Sequence, residues 1–476
     1  MSSYDAPNLD ELQDAVHDAL TSWGKIGSSE EELLSFLLLV QQERASIEGS
    51  LDPLKLRNAT NRVLEDALEE LSRQEETEAE VVRSRFFEGQ IIRQVATRLY
   101  VSSDQVNRYQ RSAIENLSRI LLAREIYARD MRIRELEADL PPSTYTNLFG
   151  FKQAAQEITA KLREFEPPWI ISVTGLGGIG KTSLADASIR QALRSFQFER
   201  VIWLQASSNP LSGAPLSPEE SYSQLLKSLA EQLWPGETQE ADTGIAANAR
   251  ELLTQQPHLI VIDNLETEET TNFLVDKVRN WTQPTKILIT TRARPTGQAS
   301  VFYHSIDELF PEDAAALLKH QAELIGLDEL SAAKNEEIES IYAVTGGNPL
   351  ALKLVVSLAT VLALPQVLTD IARSRPGPVE ELYRHIYWES WQTLGDDSQT
   401  LLQAMPLVAE SGALPEQMRS ISKLPEERFW PAVSELISRS LVEIKGTIHE
   451  RRYGIHRLTE TFLRTEIIGW TEQPTP

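Results

Sequence analysis

Residues 175–182 read GLGGIGKT, and these eight positions constrain the fold more than any others in the chain. They satisfy the spacing G-x-x-x-x-G-K-[ST], with the apolar run WIISV (169–173) before them and the helix-like TSLADASIRQALRSF after. A loop can aim several backbone N–H groups at one phosphate only if it curls tightly, and glycines at 175, 177, 178 and 180 permit that curl. Gly175, Gly177, Gly178, Ile179, Gly180 and Ser183 are the expected lining of a nucleotide-binding site. Lys181 supplies a point charge to the β and γ phosphates, and Thr182 places a hydroxyl on Mg²⁺ at the positive end of the following helix.

Four further apolar runs follow: RVIWLQA (200–206), HLIVID (258–263), KILITT (286–291) and VFYHSI (301–306). Helical segments separate the first four of the five runs, which predicts a parallel sheet covered by helices. In such a sheet ligands bind at the carboxyl ends of the strands. That places Asp263 as the second magnesium-binding group and Arg292, at the end of KILITTR, as a guanidinium that senses a terminal phosphate. Lys181, Asp263 and Arg292 are thus the candidate catalytic residues. The position after Asp263 is Asn264, with Glu266 close by, so no acid follows the magnesium-binding one directly and slow hydrolysis is expected.

The chain has 476 residues and no cysteine, which removes disulfides, thiolate metal sites and thiol catalysis and suits a reducing, cytoplasmic location. The N-terminus lacks the basic and apolar regions of a signal peptide. PLALKLVVSLATVLALP is interrupted by Lys353 and ends at Pro365, too short to span a bilayer, so no membrane partner is expected. A formal charge of −24 argues against a surface that coats nucleic acid, yet Arg83–Arg134 holds eleven Arg and no Lys against five acids, a net +6.

Within that basic stretch, Ile91, Ile92, Val95, Ala96 and Leu99 are spaced as one apolar helix face, Val101-Ser102 as a turn, and Val106, Ala113, Ile114, Leu117 and Leu121 as a second face. This is helix-turn-helix spacing. It resembles region 4 of bacterial sigma factors, in which the second helix enters the major groove, except that Tyr100 stands where such turns usually carry Gly. The resemblance implies that Gln105, Asn107, Arg108, Gln110 and Arg111 face double-stranded DNA.

GLGGIGKTSLA, IWL (202–204), LIVIDNLE, ILITTR and GGNPLALKL (346–354) resemble, in order and spacing, the NB-ARC type of STAND ATPase, the nucleotide switches of apoptotic, plant-immune and many bacterial signalling proteins. The resemblance covers about residues 145–470. It implies that Gly150 in LFGF lies near the adenine, that Pro349 packs near the nucleotide, and that His456 in YGIHRL reads the β phosphate from a winged helix. Arg457 stands where the family often has Asp. The expected fold is multidomain, α and α/β. A helical N-terminal segment (1–50) and a helix-turn-helix domain (51–140) precede a parallel-sheet nucleotide-binding domain (145–306). A helical domain (307–376), a winged helix (377–470) and a tail (471–476) follow. The expected function is an ATP/ADP-dependent switch regulating transcription, with slow hydrolysis, nucleotide-dependent homo-oligomers and a separate sensor or effector protein. The alternative is a signalling or defence scaffold whose N-terminal domain recruits protein partners.

Overall fold

The computed structural model describes residues 7–23, 34–47, 52–206, 216–236, 242–292, 300–373, 384, 387–388, 390–407, 412–439, 441–446, 451–455 and 457–468. The chain divides into two compact units, Met1–Leu136 and Glu137–Pro476.

The first unit is helical: α1 (Leu9–Thr21), α2 (Leu38–Ser46), α3 (Asp52–Gln74), α4 (Glu76–Val82), α5 (Ile92–Arg98) and α6 (Ser103–Ala138). Leu12 and Val16 of α1 lie one helical turn apart and meet Leu37, Leu64, Leu71, Leu117 and Leu121 in a single core. The segments 1–50 and 51–140 therefore share their apolar interior. Glu125, fully buried on α6, accepts hydrogen bonds from the backbone N–H of Leu38 (2.8 Å) and Leu39 (3.1 Å), doing from a distance what an N-cap side chain would do for α2. Arg129 neutralises it through Nε, one turn along.

A second small core, of Val81, Val95, Ala96 and Val106 with Ile92 and Leu99 against it, builds the helix-turn-helix. Ile91 departs from the expected face: it is the N-cap of α5, outside the helical repeat, and 58% exposed. Tyr100 adopts the left-handed backbone its position demands (φ 55°) and leaves its side chain 96% exposed. Ser102 and Gln105 then start α6 with a reciprocal capping box, Gln105 N to Ser102 Oγ at 3.2 Å and Ser102 N to Gln105 Oε1 at 3.0 Å.

The second unit opens with α7 (Lys152–Arg163), β1 (Ile170–Thr174), α8 (Lys181–Ala192), β2 (Val201–Gln205), α9 (Pro218–Leu233), α10 (Asp242–Gln255), β3 (Leu259–Leu265), α11 (Glu268–Val278), β4 (Lys286–Thr291) and β5 (Val301–Ser305). All five strands are parallel, in the order β2-β3-β4-β1-β5. One face of the sheet, with Ile202, Leu204, Ile260, Ile262, Ile287 and Ile289, packs on α9, α10 and α11. Alternate residues such as Val173, Val261 and Leu288 are buried too, so the strands read as unbroken apolar runs.

Helices α12 (Pro311–Leu324), α13 (Asp328–Ser331), α14 (Asn335–Thr345), α15 (Pro349–Leu358) and α16 (Leu364–Arg373) follow. Then come α17 (Asp396–Ala404), α18 (Pro415–Ser422), α19 (Glu426–Ser438), the antiparallel hairpin β6 (Glu443–Gly446) and β7 (Arg451–Gly454), and α20 (Arg457–Phe462). Ala413 bridges Tyr453 as a third short strand, which completes the helices-then-hairpin order of a winged helix. No helix among the described residues is long and apolar enough to cross a membrane.

Candidate nucleotide-binding site

Strand β1 stops at Thr174 and α8 begins at Lys181, so the six residues between them form the loop the motif requires. Gly178 (φ 70°) and Gly180 (φ 104°) take left-handed backbone, and a Cβ on Gly180 would meet the Phe151 ring at 2.9 Å. Gly175 is glycine for a different reason, because a Cβ there would meet the Ile306 carbonyl at 2.9 Å. Ile179 is buried and anchors the loop from beneath, whereas Thr182 is exposed at the first turn of α8 and Ser183 half-buried beside it.

Lys181 Nζ folds back over the loop and donates to the carbonyls of Gly175 (2.9 Å) and Leu176 (2.7 Å). Burial, with the nearby Arg292 guanidinium adding to it, pulls its pKa down to about 8, against the opposing pull of Asp263 and Glu266. Thr182 Oγ1 donates to Asp263 Oδ1 at 2.9 Å, and Thr290 Oγ1 donates to the same oxygen at 2.5 Å. Asp263 is 5% exposed. A hydroxyl and a carboxylate held this close at the end of a phosphate loop are hard oxygen donors of the kind Mg²⁺ takes. Among the described residues no cluster of three or more His, Cys, Asp or Glu could hold a metal ion, so the remaining donors would be phosphates and water. Thr182 and Asp263 would hold the ion, and its charge would offset that of the phosphates. Strand β4 lies between β1 and β3, and Arg292, one residue past its end, acts electrostatically on Lys181 and pairs with Glu266 at 3.2 Å.

Residues 151–324 match the NB-ARC domain family, and residues 41–121 match the family described as ECF sigma factor. Residues 151–324 are thus similar to the NB-ARC domain, with the phosphate loop inside the matched region. Among curated proteins it is similar to disease resistance protein RPH8A of Arabidopsis thaliana, 28% identical over 46% of this chain and 24% of that protein. It is similar also to disease resistance protein RPP8 of the same plant, at 27% over 46% and 24%. The chain thus spans about a quarter of the length of these relatives. A solved STAND protein with a tetratricopeptide repeat sensor from Pyrococcus horikoshii aligns with 67% of this chain and 43% of its own, at 20% identity and a TM-score of 0.42.

The helical segment after the NB-ARC sheet grips the phosphate loop directly. Asn348 caps α15 through Leu350 N (3.0 Å) and Ala351 N (3.3 Å), and Pro349 occupies the first helical position. The Asn348 amide also donates to Gly177 O (3.3 Å), and Leu350 N is 3.3 Å from Gly178 O. Pro349 therefore lies between two residues that contact the loop, and Gly150 (φ 73°) lies against Leu309 and Asp313. His456 lies outside the described residues. Asn348 was missed, although an Asn immediately before a Pro and an apolar run is a cap signal.

The five residues expected to face DNA all lie in the first turns of α6, but not equally free. Gln105 is used in the capping box, and Gln110 Oε1 accepts from Arg85 Nε at 3.2 Å. Asn107 is half-buried, while Arg108 and Arg111 are exposed. Most arginines of the basic stretch are paired within their own unit, Arg98 with Glu80 and Glu88, Arg119 with Glu115, Arg124 with Glu70 and Arg134 with Asp130.

Proposed function

We propose that the chain is a molecular switch in which ATP or ADP, with Mg²⁺, occupies the loop at 175–182, and in which the bound nucleotide controls transcription through the N-terminal helix-turn-helix. The observation that carries the switch is the pair of contacts from Asn348 and Leu350 to the carbonyls of Gly177 and Gly178. A helical segment fastened to the phosphate loop feels any rearrangement the phosphates impose, and a ligand shifts such an equilibrium by its difference in affinity for the two arrangements. His456, which the family resemblance singles out, is the proposed reader of the β phosphate. Hydrolysis then resets the switch rather than driving a motor.

Exposed Arg93, Arg108 and Arg111 support the DNA output, since each can meet a phosphate or a guanine edge. Double-stranded DNA affinity measured across a salt series in ATP and in ADP tests it. Arg108→Ala combined with Arg111→Ala should weaken binding and flatten the log–log salt slope by roughly 1.8 if each arginine neutralises one phosphate. Should the wild type bind no DNA at low salt in either nucleotide, the transcriptional reading is lost. The scaffold reading, favoured by the exposed apolar side chains of Ile91 and Tyr100 and by the engaged amides of Gln105 and Gln110, then replaces it.

A further inference from the structure

We propose that residues 137–146 form a strap fastened to α8, and that the strap is fastened or free according to which nucleotide occupies the phosphate loop at the head of that helix. The inference rests on the nucleotide reading above and adds to it a route from the phosphates to the chain segment that leads out of α6.

Three observations lead there. First, Asp186 of α8 is a buried carboxylate, 5% exposed, and its Oδ2 accepts from Ser143 Oγ at 2.7 Å and from Tyr145 OH at 2.9 Å. Arg190, one turn along, has its Nε 3.0 Å from both Asp186 oxygens, donates to Pro141 O at 2.9 Å and pairs with Glu137 at 3.6 Å. Burial, with Asp186 beside it, pushes the Tyr145 phenol well above its ordinary pKa, so the hydroxyl stays a donor. Pro141 and Pro142 disfavour helix, in keeping with the end of α6 at Ala138, and Ser143 and Tyr145 are alternate residues that reach one oxygen. Second, Thr182, Asp186 and Arg190 are spaced four apart on α8, so the strap is held on the stripe of the helix that begins at the phosphate loop. Third, the chain beyond the strap touches the helical segment that follows the sheet: Thr146 Oγ1 is 2.9 Å from His320 Nε2 of α12, and the Phe149 ring lies 5.5 Å from the His320 ring.

Phosphates in the loop act on Lys181 and Thr182, in the first turn of α8, and a helix of 12 residues moves as one body. Hydrogen bonds weaken steeply as their geometry is disturbed, so a small displacement of α8 loosens the bonds to Asp186 together. Loosening is opposed by the cost of leaving a buried carboxylate short of donors, which gives the strap two discrete arrangements, on and off.

Amide hydrogen exchange of residues 139–147 in the full chain tests this, with saturating ADP and with a non-hydrolysable ATP analogue, each with Mg²⁺. A coupling of ordinary size predicts rates at least about fivefold apart in the two nucleotides. Ser143→Ala combined with Tyr145→Phe removes both hydroxyls and keeps the ring, and its strap should exchange fast and equally in both. By reciprocity, the nucleotide that frees the strap in the wild type must gain affinity relative to the other in this double variant, by up to the same factor. A strap that only stabilises the fold would leave that ratio unchanged. Thr144→Ala, at an exposed position of the strap, should match the wild type in both measurements. Equal exchange in the two nucleotides in a wild type that binds both overturns the proposal alone, as does an unchanged affinity ratio in the double variant. A wild type that binds neither nucleotide overturns the site assignment and this proposal with it.

Discussion

Lys181 shows how a residue can be poised for a ligand before the ligand is present. Its ammonium rests on two loop carbonyls, yet burial and Arg292 hold its pKa near 8, well below the ordinary lysine value. Phosphates must raise that value, because they add negative charge at contact distance. A group whose pKa rises on binding contributes affinity that is complete below its free value and is lost as pH climbs from there toward the bound value. ADP affinity should therefore be flat up to about pH 8 and fall roughly ten- to thirtyfold by about pH 9.5, accompanied by proton uptake in calorimetry. Lys181→Ala should bind weakly with no such pH dependence and unfold at the wild-type denaturant midpoint, since the side chain is a charge partner and not core. A flat wild-type profile would mean that Lys181 does not meet the phosphates.

Among the elements, α6 carries the larger energetic burden. The buried Glu125–Arg129 pair closes the N-terminus of α2 across 87 residues of sequence, and no apolar pattern announces it. Truncating one partner of such a pair leaves the other charge buried and two N–H groups orphaned, at a cost of about 3–5 kcal/mol. Glu125→Ala should accordingly lower the denaturant midpoint of the N-terminal unit sharply, with Glu125→Gln less severe because its amide oxygen can still accept. Arg119→Ala, which breaks an exposed pair with Glu115, should change stability by about 1 kcal/mol at most. Equal effects of the two alanine variants in urea titrations would show that Glu125 is not a structural cap.

At the scale of the whole molecule, the contact between α15 and the phosphate loop decides whether nucleotide occupancy becomes a change of shape. Asn348 serves both sides of it, capping its own helix and bonding to Gly177 O. Asn348→Ala should cost about 1 kcal/mol through the lost cap, keep nucleotide affinity within about tenfold, and abolish any difference in sedimentation between the ADP and ATP forms. An undiminished difference would place the coupling elsewhere, with the winged-helix reading of His456→Ala as the next variant to measure.

Local patterns along the chain sufficed for the phosphate loop, the five strands and their parallel arrangement, the two helices of the helix-turn-helix and the winged-helix order. Each depends on residues within one turn, one strand or one cap, where spacing and side-chain type determine the outcome. Lys181, Thr182, Asp263 and Arg292 share one edge for the same reason, since sheet topology delivers strand ends and helix starts there, whereas Pro349 stood out only through the family resemblance. Other features were settled only when distant segments met. The packing of residues 12–40 against α3 and the middle of α6 joins distant apolar faces, while the capping of α2 by Glu125, the grip of Asn348 on Gly177 and the withdrawal of Gln105 and Gln110 into internal hydrogen bonds pair polar groups far apart in sequence or across a turn. A polar side chain has no periodic signature of its own. Its partner is whichever unsatisfied donor or acceptor the packing of the apolar faces happens to bring within about 3 Å, and that is a property of the folded chain.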